Sequence, residues 1–278
     1  MKGGLVCAIL LLLSCSGRVV AQGLGLPDQS REQPVEIHAD HGIEWQQDAQ
    51  AYIARGNARA QQGEVAVHAD RLTAYYRKGA DGKTQIWRID ADGNVRIVSP
   101  EQTAYGEKGV YEIEKGVFVL TGAPRLVTGT DRISAKQSLE FWEKRSLAVA
   151  RGDATAVRDD RRLRADVLTA HFAEDKDGKS RVTRVDAFDN VLISTPEEIV
   201  RARRGVYNTI TGIINLRGSV KITRGKDQLN GDAAEVNLNT GVSRMLSGGS
   251  GRVRGVFQPE GNNLPRGAPA VAPREQDR

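Results

Sequence analysis

The sequence predicts an all-β protein made of antiparallel strands, and three observations point to this class. A glycine precedes two apolar residues at alternate positions in five places, and an aspartate takes the same role in a sixth. Apolar and polar residues alternate through segments such as Val65 to Ala69, which is typical of a strand with one covered face. Glycine-rich breaks then recur too often for an ordinary helix. The segment 134–145 has some helical spacing, but its repeat partner near Val236 alternates, so we interpret it as strand.

The anchored pattern reveals an internal duplication. The six anchors are Gly56, Gly93, Gly122, Gly152, Asp189 and Gly218. The last three follow the first three at a constant displacement of 96 residues, and residues between them repeat too, as Arg88 and Asp90 return as Arg184 and Asp186. Each anchor is interpreted as a turn that feeds a short strand. Repeats of this length predict stacked units that bury their apolar faces against one another.

The first 21 residues have the features of a signal peptide. Lys2 precedes an apolar run from Leu5 to Leu13, and small residues follow as far as Ala21. The run is short for a bilayer span, so we expect cleavage after Ala21 and export to the periplasm. Two alternatives remain: a lipid on Cys15, or a membrane-anchored form that keeps the run. Both cysteines, Cys7 and Cys15, lie in this leader, so a disulfide is not expected in the mature protein.

The rest of the chain divides into one repeat domain and a tail. Residues 31–248 carry the strand pattern, whereas residues 256–278 are rich in Pro, Gly and Asn and are expected to be disordered. A net charge of +5 suits an exported protein that meets anions. A basic run with interleaved aromatic residues is lacking, which argues against a nucleic-acid partner.

The sequence offers no convincing catalytic or metal-binding set. His38, Asp40 and His41 are close in sequence, but on a strand the two histidines point to opposite faces. The Asp-Gly pairs lack the rest of a calcium loop and are better explained as hairpin turns. An enzyme and a bound cofactor are therefore not predicted.

Several of these segments together carry a family resemblance. The stretches 33–40, 56–57, 62–63, 65–70 and 118–122 resemble the OstA-like, LptA-type family of periplasmic lipopolysaccharide transport proteins. The resemblance covers residues 31–248 and implies a rolled, V-shaped antiparallel sheet (a β-jellyroll). In such a sheet the apolar inner face holds lipid A acyl chains, and modules join end to end between family members of the inner and outer membranes. The usual member holds about one copy of the repeated block, and this chain holds two.

The resemblance and the alternation together select candidate lipid contacts on the inner face. These are Ile37, Val65, Val67, Val95, Ile97, Leu126, Val191, Ile193, Val220 and Ile222. Small residues at Ala58, Ala60, Ala154 and Ala156 are expected to leave space. Arg59, Arg96, Arg125 and Lys221 share one outward position, where they form either a phosphate-binding ladder or, as we favour, a solvated face.

The predicted function is lipopolysaccharide binding and transport, with lipid A as ligand. The alternatives are a structural β-solenoid of the envelope with a dry core and, last, a carbohydrate-active β-helix enzyme, which needs clustered carboxylates. Unpaired strands are expected near residues 35–40 and 234–245, and they predict head-to-tail self-association.

Overall fold

The chain forms one antiparallel sheet of 18 strands within residues 35–79, 82–176, 178, 180–248 and 252–258, which the computed structural model describes. The predicted signal peptide, the lipidation site and the tail beyond residue 258 lie outside the described residues. The strands are β1 Glu36–His38, β2 Ile43–Gln46, β3 Ala51–Gln62, β4 Val65–Lys78, β5 Thr84–Ser99, β6 Gln102–Glu112, β7 Val117–Thr121, β8 Arg125–Thr128, β9 Asp131–Ser134, β10 Ser138–Trp142, β11 Leu147–Arg158, β12 Arg161–Glu174, β13 Ser180–Ser194, β14 Glu198–Asn208, β15 Ile213–Arg224, β16 Asp227–Asn237, β17 Val242–Leu246 and β18 Arg254–Val256.

The strands bend at one line that runs the length of the sheet. Pairing breaks register near the middle of the long strands, for example between Arg55 and Ala58 in β3 and between Arg151 and Ala154 in β11. This line, which we call the bend, divides the sheet into two half-sheets. The upper half-sheet runs from β2 to β17 and includes β7 and β10, whereas the lower runs from β1 to β18 and includes β8 and β9.

The anchors lie on the bend, and five of the six lie inside a strand, which corrects their interpretation as turns between strands. Gly122 is the exception, since it lies between β7 and β8. Gly56 (φ 77°) and Gly93 (φ 76°) sit inside β3 and β5, and Asp189 (φ 57°) sits inside β13. The next residue also has positive φ, as at Asn57 and Asn94, so the strand kinks through a β-bulge and continues. The predicted short strands are therefore halves of long ones, such as the 16-residue β5.

The bend is also where the core is most tightly closed. Ala58 and Ala154 are 0% exposed, so these small residues let the chain turn tightly and do not open the space that the sequence predicted. Buried aliphatic residues from both half-sheets, among them Leu120, Val200 and Leu216, form one continuous cluster. The protein is thus a rolled, V-shaped antiparallel sheet with an apolar inner face, as the resemblance implied.

The duplication is visible in side-chain contacts as well as in the backbone. Arg88 Nε donates to Asp90 Oδ1 at 2.6 Å, and in the second copy an Arg184 nitrogen donates to Asp186 Oδ1 at 2.6 Å. The strand predicted in segment 134–145 is present as β10, and the segment ends in a 3₁₀ turn at Glu143–Arg145. One strand, β18, lies past residue 248, where the sequence predicted the repeat domain to end.

Candidate functional site

One inner-facing position of the lower half-sheet is aliphatic in thirteen consecutive strands. Cross-strand pairing aligns these positions along the sheet, and we call them the aliphatic row. Its members are Ile37, Ala60, Val67, Ile97, Ala104, Leu126, Ile133, Ala156, Leu163, Ile193, Val200, Ile222 and Leu229. Six of the ten predicted lipid contacts belong to it, which means that the alternation had identified one continuous surface.

The predicted lipid contacts differ in how far they lie from the bend. Val95, Val191 and Val220 sit beside the bend and are at most 2% exposed. Ile97 and Ile193 belong to the aliphatic row but are also sealed, at 4% and 6% exposure. The remaining contacts, Val65, Val67, Leu126 and Ile222, are half-buried, and Ile37 is exposed at the first edge. A ligand therefore reaches the half-buried members first, whereas the sealed ones need the half-sheets to separate.

The facing wall carries aromatic residues, which the sequence analysis missed because it noted only their low number. Tyr111, Phe118 and Phe141 are direct cross-strand partners on the inner face of the upper half-sheet. At the first edge, Trp45 stacks on Tyr52 with ring centroids 6.1 Å apart. Residues two positions apart on a strand share a face, so the spacing of the aromatic residues from the buried leucines could have predicted that they face inwards.

The four predicted phosphate contacts lie together on the outer face of the lower half-sheet. Cross-strand pairing puts Arg59, Arg96, Arg125 and Lys221 in one row, which we call the basic row. The same row also contains Arg164, Arg201 and Arg254, which the sequence analysis did not select. Because this face is opposite to the aliphatic row, the two sets cannot contact the same acyl chain.

Some members of the basic row are already engaged. The Arg125 guanidinium lies 4.5 Å from the ring centroid of Tyr105. Arg164 donates to Asp153, and this hydrogen bond, with a second one from Lys136, lowers the pKa of Asp153 to about 2. Burial, followed by the charges of Arg96 and Arg59, lowers the pKa of His68 between them. The row is therefore a region of positive potential.

The described residues show neither a metal-binding cluster nor a helix that could span a membrane. They hold no group of three or more His, Cys, Asp or Glu side chains arranged to bind a metal ion. None of their helical segments has the length and apolar character needed to cross a membrane. The chemistry that stands out is apolar contact on the inner face and positive charge on the outer one.

Comparisons with known proteins agree with the duplication. The family model described as LptA/(LptD N-terminal domain) LPS transport protein matches twice, over residues 36–138 and 135–242. An uncharacterized protein of Rhizobium meliloti (strain 1021) is 30% identical over 126 residues, which is 44% of this chain. The match spans 64% of that relative's length.

A solved structure is also similar: LptH from Pseudomonas aeruginosa, described as the LptA-homologous periplasmic component of the conserved lipopolysaccharide transport device. Sequence identity is 12% and the TM-score is 0.21, with 83% of this chain and 99% of that one covered. The two family matches together extend over most of the chain, one match per copy of the repeated block. The chain belongs to the LptA/LptD N-terminal family of lipopolysaccharide transport proteins.

Proposed function

We propose that this protein binds lipopolysaccharide through the acyl chains of lipid A and carries it in the groove between its half-sheets. The observation that carries the proposal is the aliphatic row, continuous over thirteen strands in a chain of this family. Each methylene withdrawn from water contributes about 0.8 kcal/mol, so partial insertion of several acyl chains is enough to hold a lipid.

Photo-crosslinking at adjacent residues of opposite faces tests the groove. Leu126 and Ile222 lie half-buried on the inner face, and their neighbours Arg125 and Lys221 lie on the outer face of the same strands. Crosslinkers at the first pair are expected to label lipopolysaccharide, and those at the second pair are not. Equal labelling of both faces, or none at either, would contradict the groove. Ile97 and Ile193 are expected to label as well if the half-sheets separate to admit lipid.

We also propose that modules join head to tail and thereby help to bridge the inner and outer membranes. The upper half-sheet has β2 at its first edge and β17 at its last edge. The lower half-sheet has β1 at its first edge and β18 at its last edge. Each half-sheet contains fourteen strand segments in the described residues. With an even number of alternating strands, the last edge of one molecule meets the first edge of the next in antiparallel orientation.

Side-chain exposure favours these edges as contact surfaces. Nine of the twelve exposed large hydrophobic residues of the described chain lie on or beside the edge strands: Val35, Ile37, Ile43, Trp45, Val242, Leu246, Val253, Val256 and Phe257. The repeat supplies a second argument. Residues of β1 and β2 correspond at the 96-residue displacement to β9 and β10, and those strands are paired on both sides. The sides of β1 and β2 that lack a neighbouring strand in the described chain therefore correspond to sides of β9 and β10 that pair with one.

The structural β-solenoid alternative predicts no lipid affinity and therefore fails if the inner face is labelled. The partners proposed here are lipid A and other family members, including further copies of this chain. Export to the periplasm remains a prediction from the leader sequence, and mass spectrometry of the mature N-terminus tests both cleavage after Ala21 and lipid on Cys15.

A further inference from the structure

A second inner-facing row follows the open edge of the lower half-sheet, two residues beyond the aliphatic row. We call it the mouth row. Its members, in strand order, are Gln62, Val65, Ser99, Gln102, Thr128, Asp131, Arg158, Arg161, Thr195, Glu198, Arg224 and Asp227. Ten of its twelve members are half-buried, and Thr195 and Glu198 are buried.

The two copies of the repeat differ sharply along the mouth row. At the 96-residue displacement, Gln62 corresponds to Arg158 and Val65 corresponds to Arg161. Likewise, Gln102 and Thr128 are replaced in the second copy by Glu198 and Arg224. Apart from an aspartate that both copies hold, at Asp131 and Asp227, the mouth row is uncharged in the first copy and carries three arginines and a glutamate in the second. The two copies otherwise share the same fold and the same aliphatic row.

Ion pairs account for two of the three mouth-row arginines. Arg158 donates to both carboxylate oxygens of Asp131, through Nε and one Nη nitrogen. An Arg224 nitrogen lies 3.6 Å from a carboxylate oxygen of Glu198. Arg161, in contrast, has no ion-pair partner within the described part of the chain, and its Nε is buried without a hydrogen bond.

The position of Arg161 makes an unneutralised charge costly. Arg158 and Arg161 are direct cross-strand partners, and like charges opposite each other on one face destabilise a sheet. Among the described residues, Asp131 forms an ion pair with Arg158 alone, so the charge of Arg161 is the one left without a counter-ion. The hairpin does not require this pair, since its counterpart in the first copy is Gln62 opposite Val65. An anion bound at Arg161 would satisfy the buried donor and relieve the repulsion.

The aliphatic row lies on the same face as Arg161 and close to it, which indicates what kind of molecule would carry such an anion. Leu163 belongs to that row and lies two residues from Arg161 on the same face of β12, a separation of roughly 7 Å along a strand. An amphiphile whose acyl chains cover Leu163 therefore places its polar head near Arg161. We propose that Arg161 binds a phosphate group on the head of the carried lipid, so that the second copy selects phosphorylated lipids and the first copy contacts acyl chains alone. This inference rests on the proposed lipid-binding function.

The test compares one lipid with and without its phosphate groups. A tetraacylated glucosamine disaccharide, in its phosphorylated and dephosphorylated forms in nonionic detergent micelles, is titrated against the full chain. The wild type is expected to prefer the phosphorylated form by about tenfold, the usual effect of one charge-assisted hydrogen-bonded contact. Arg161→Val, which copies Val65, is expected to abolish the preference while acyl binding persists.

Two further variants keep the test specific. Arg162→Val removes the same charge from the outer face of the same strand and is expected to leave the preference unchanged. Val65→Arg creates a second unpaired arginine and is expected to increase it, so the proposal remains testable even if Arg161→Val fails to fold. Inorganic phosphate at the same concentration is expected not to compete, which distinguishes a lipid headgroup from a free ion.

The outcomes separate the two proposals. A wild type that binds both lipid forms equally, an Arg162→Val variant that loses the preference, or effective competition by inorganic phosphate would overturn the role of Arg161 and leave the groove intact. Binding of neither lipid form would overturn the groove as well.

Discussion

Gly122 lies directly against Glu107 across the bend. A Cβ on Gly122 would fall 2.4 Å from the Cβ of Glu107 and 3.0 Å from its backbone nitrogen. The second copy repeats the contact, since a Cβ on Gly218 would fall 2.6 Å from the Cβ of Arg203. Both glycines also have positive φ, at 80° and 83°. The bend therefore needs glycine for conformation and for space at once.

Gly122→Val and Gly218→Val are expected to destabilise the protein more than a change at an open glycine. Gly129 is the matched control, because its φ is 52° but no atom lies within 4 Å of a Cβ built there. The overpacking should cost about 1 to 3 kcal/mol beyond the control, measured by chemical denaturation. Equal losses at Gly122 and Gly129 would contradict a steric role for the bend.

Head-to-tail association predicts complementation between two edge variants. Ile37→Pro blocks the first edge, and Ser243→Pro in β17 blocks the last. Each variant alone should be monomeric by sedimentation at high concentration, whereas their mixture should form a dimer through the two intact edges. Ile37→Pro dimers, or Ser243→Pro dimers, would indicate like-to-like pairing instead. The unpaired strand expected near residues 234–245 is β17, whereas residues 234–237 end β16, which pairs on both sides and contributes Ala234 and Val236 to the core.

The basic row predicts how the pKa of His68 responds to its neighbours. Burial, then the charges of Arg96 and Arg59, lower the pKa of His68, so Arg96→Gln should raise it partway towards 6.5 in an NMR titration. Arg125→Gln, farther along the row, should leave it unchanged. Tripolyphosphate should also raise the pKa of His68 in the wild type if the row binds phosphate. No response to tripolyphosphate would support a solvated face.

Glu198 should reduce stability at neutral pH. Burial raises the pKa of Glu198, and Arg224 offsets this only in part. Since the carboxyl binds its proton more tightly in the folded state, stability falls as pH rises from the ordinary value of 4.5 through the raised one. Glu198→Gln should therefore raise the melting temperature at pH 7, and the gain should vanish below about pH 4. Its exposed neighbour Glu197, changed to Gln, should give a much smaller gain, because the charge of Glu197 is the smallest of the causes that act on the pKa of Glu198. Equal melting behaviour of Glu198→Gln and the wild type across this range would contradict the assignment.

The sequence predicted the periodic features of the fold well, but it predicted poorly how deeply each side chain is buried. Alternation and the 96-residue displacement identified the sheet, the duplication and six of the thirteen members of the aliphatic row. Burial of Ile97 but not of Leu126 depends on how closely the half-sheets approach at each strand, and no local pattern records this distance. The anchors were taken for turns because glycine with positive φ serves turns and bulges alike. Arg161 does not follow from the similarity between the copies, because it stands where the first copy has Val65.

The strand count gives the duplication a geometric meaning. One copy of the block adds six strands to each half-sheet, from β3 to the strand before β11. Six is even, so another copy lengthens the sheet by roughly 29 Å without reversing the direction of the strand that follows. An additional copy therefore leaves the first and last edge strands, and their orientation, unchanged. Under the proposed head-to-tail association, a duplicated chain would therefore cover a given span with fewer, longer pieces and with the same two edges.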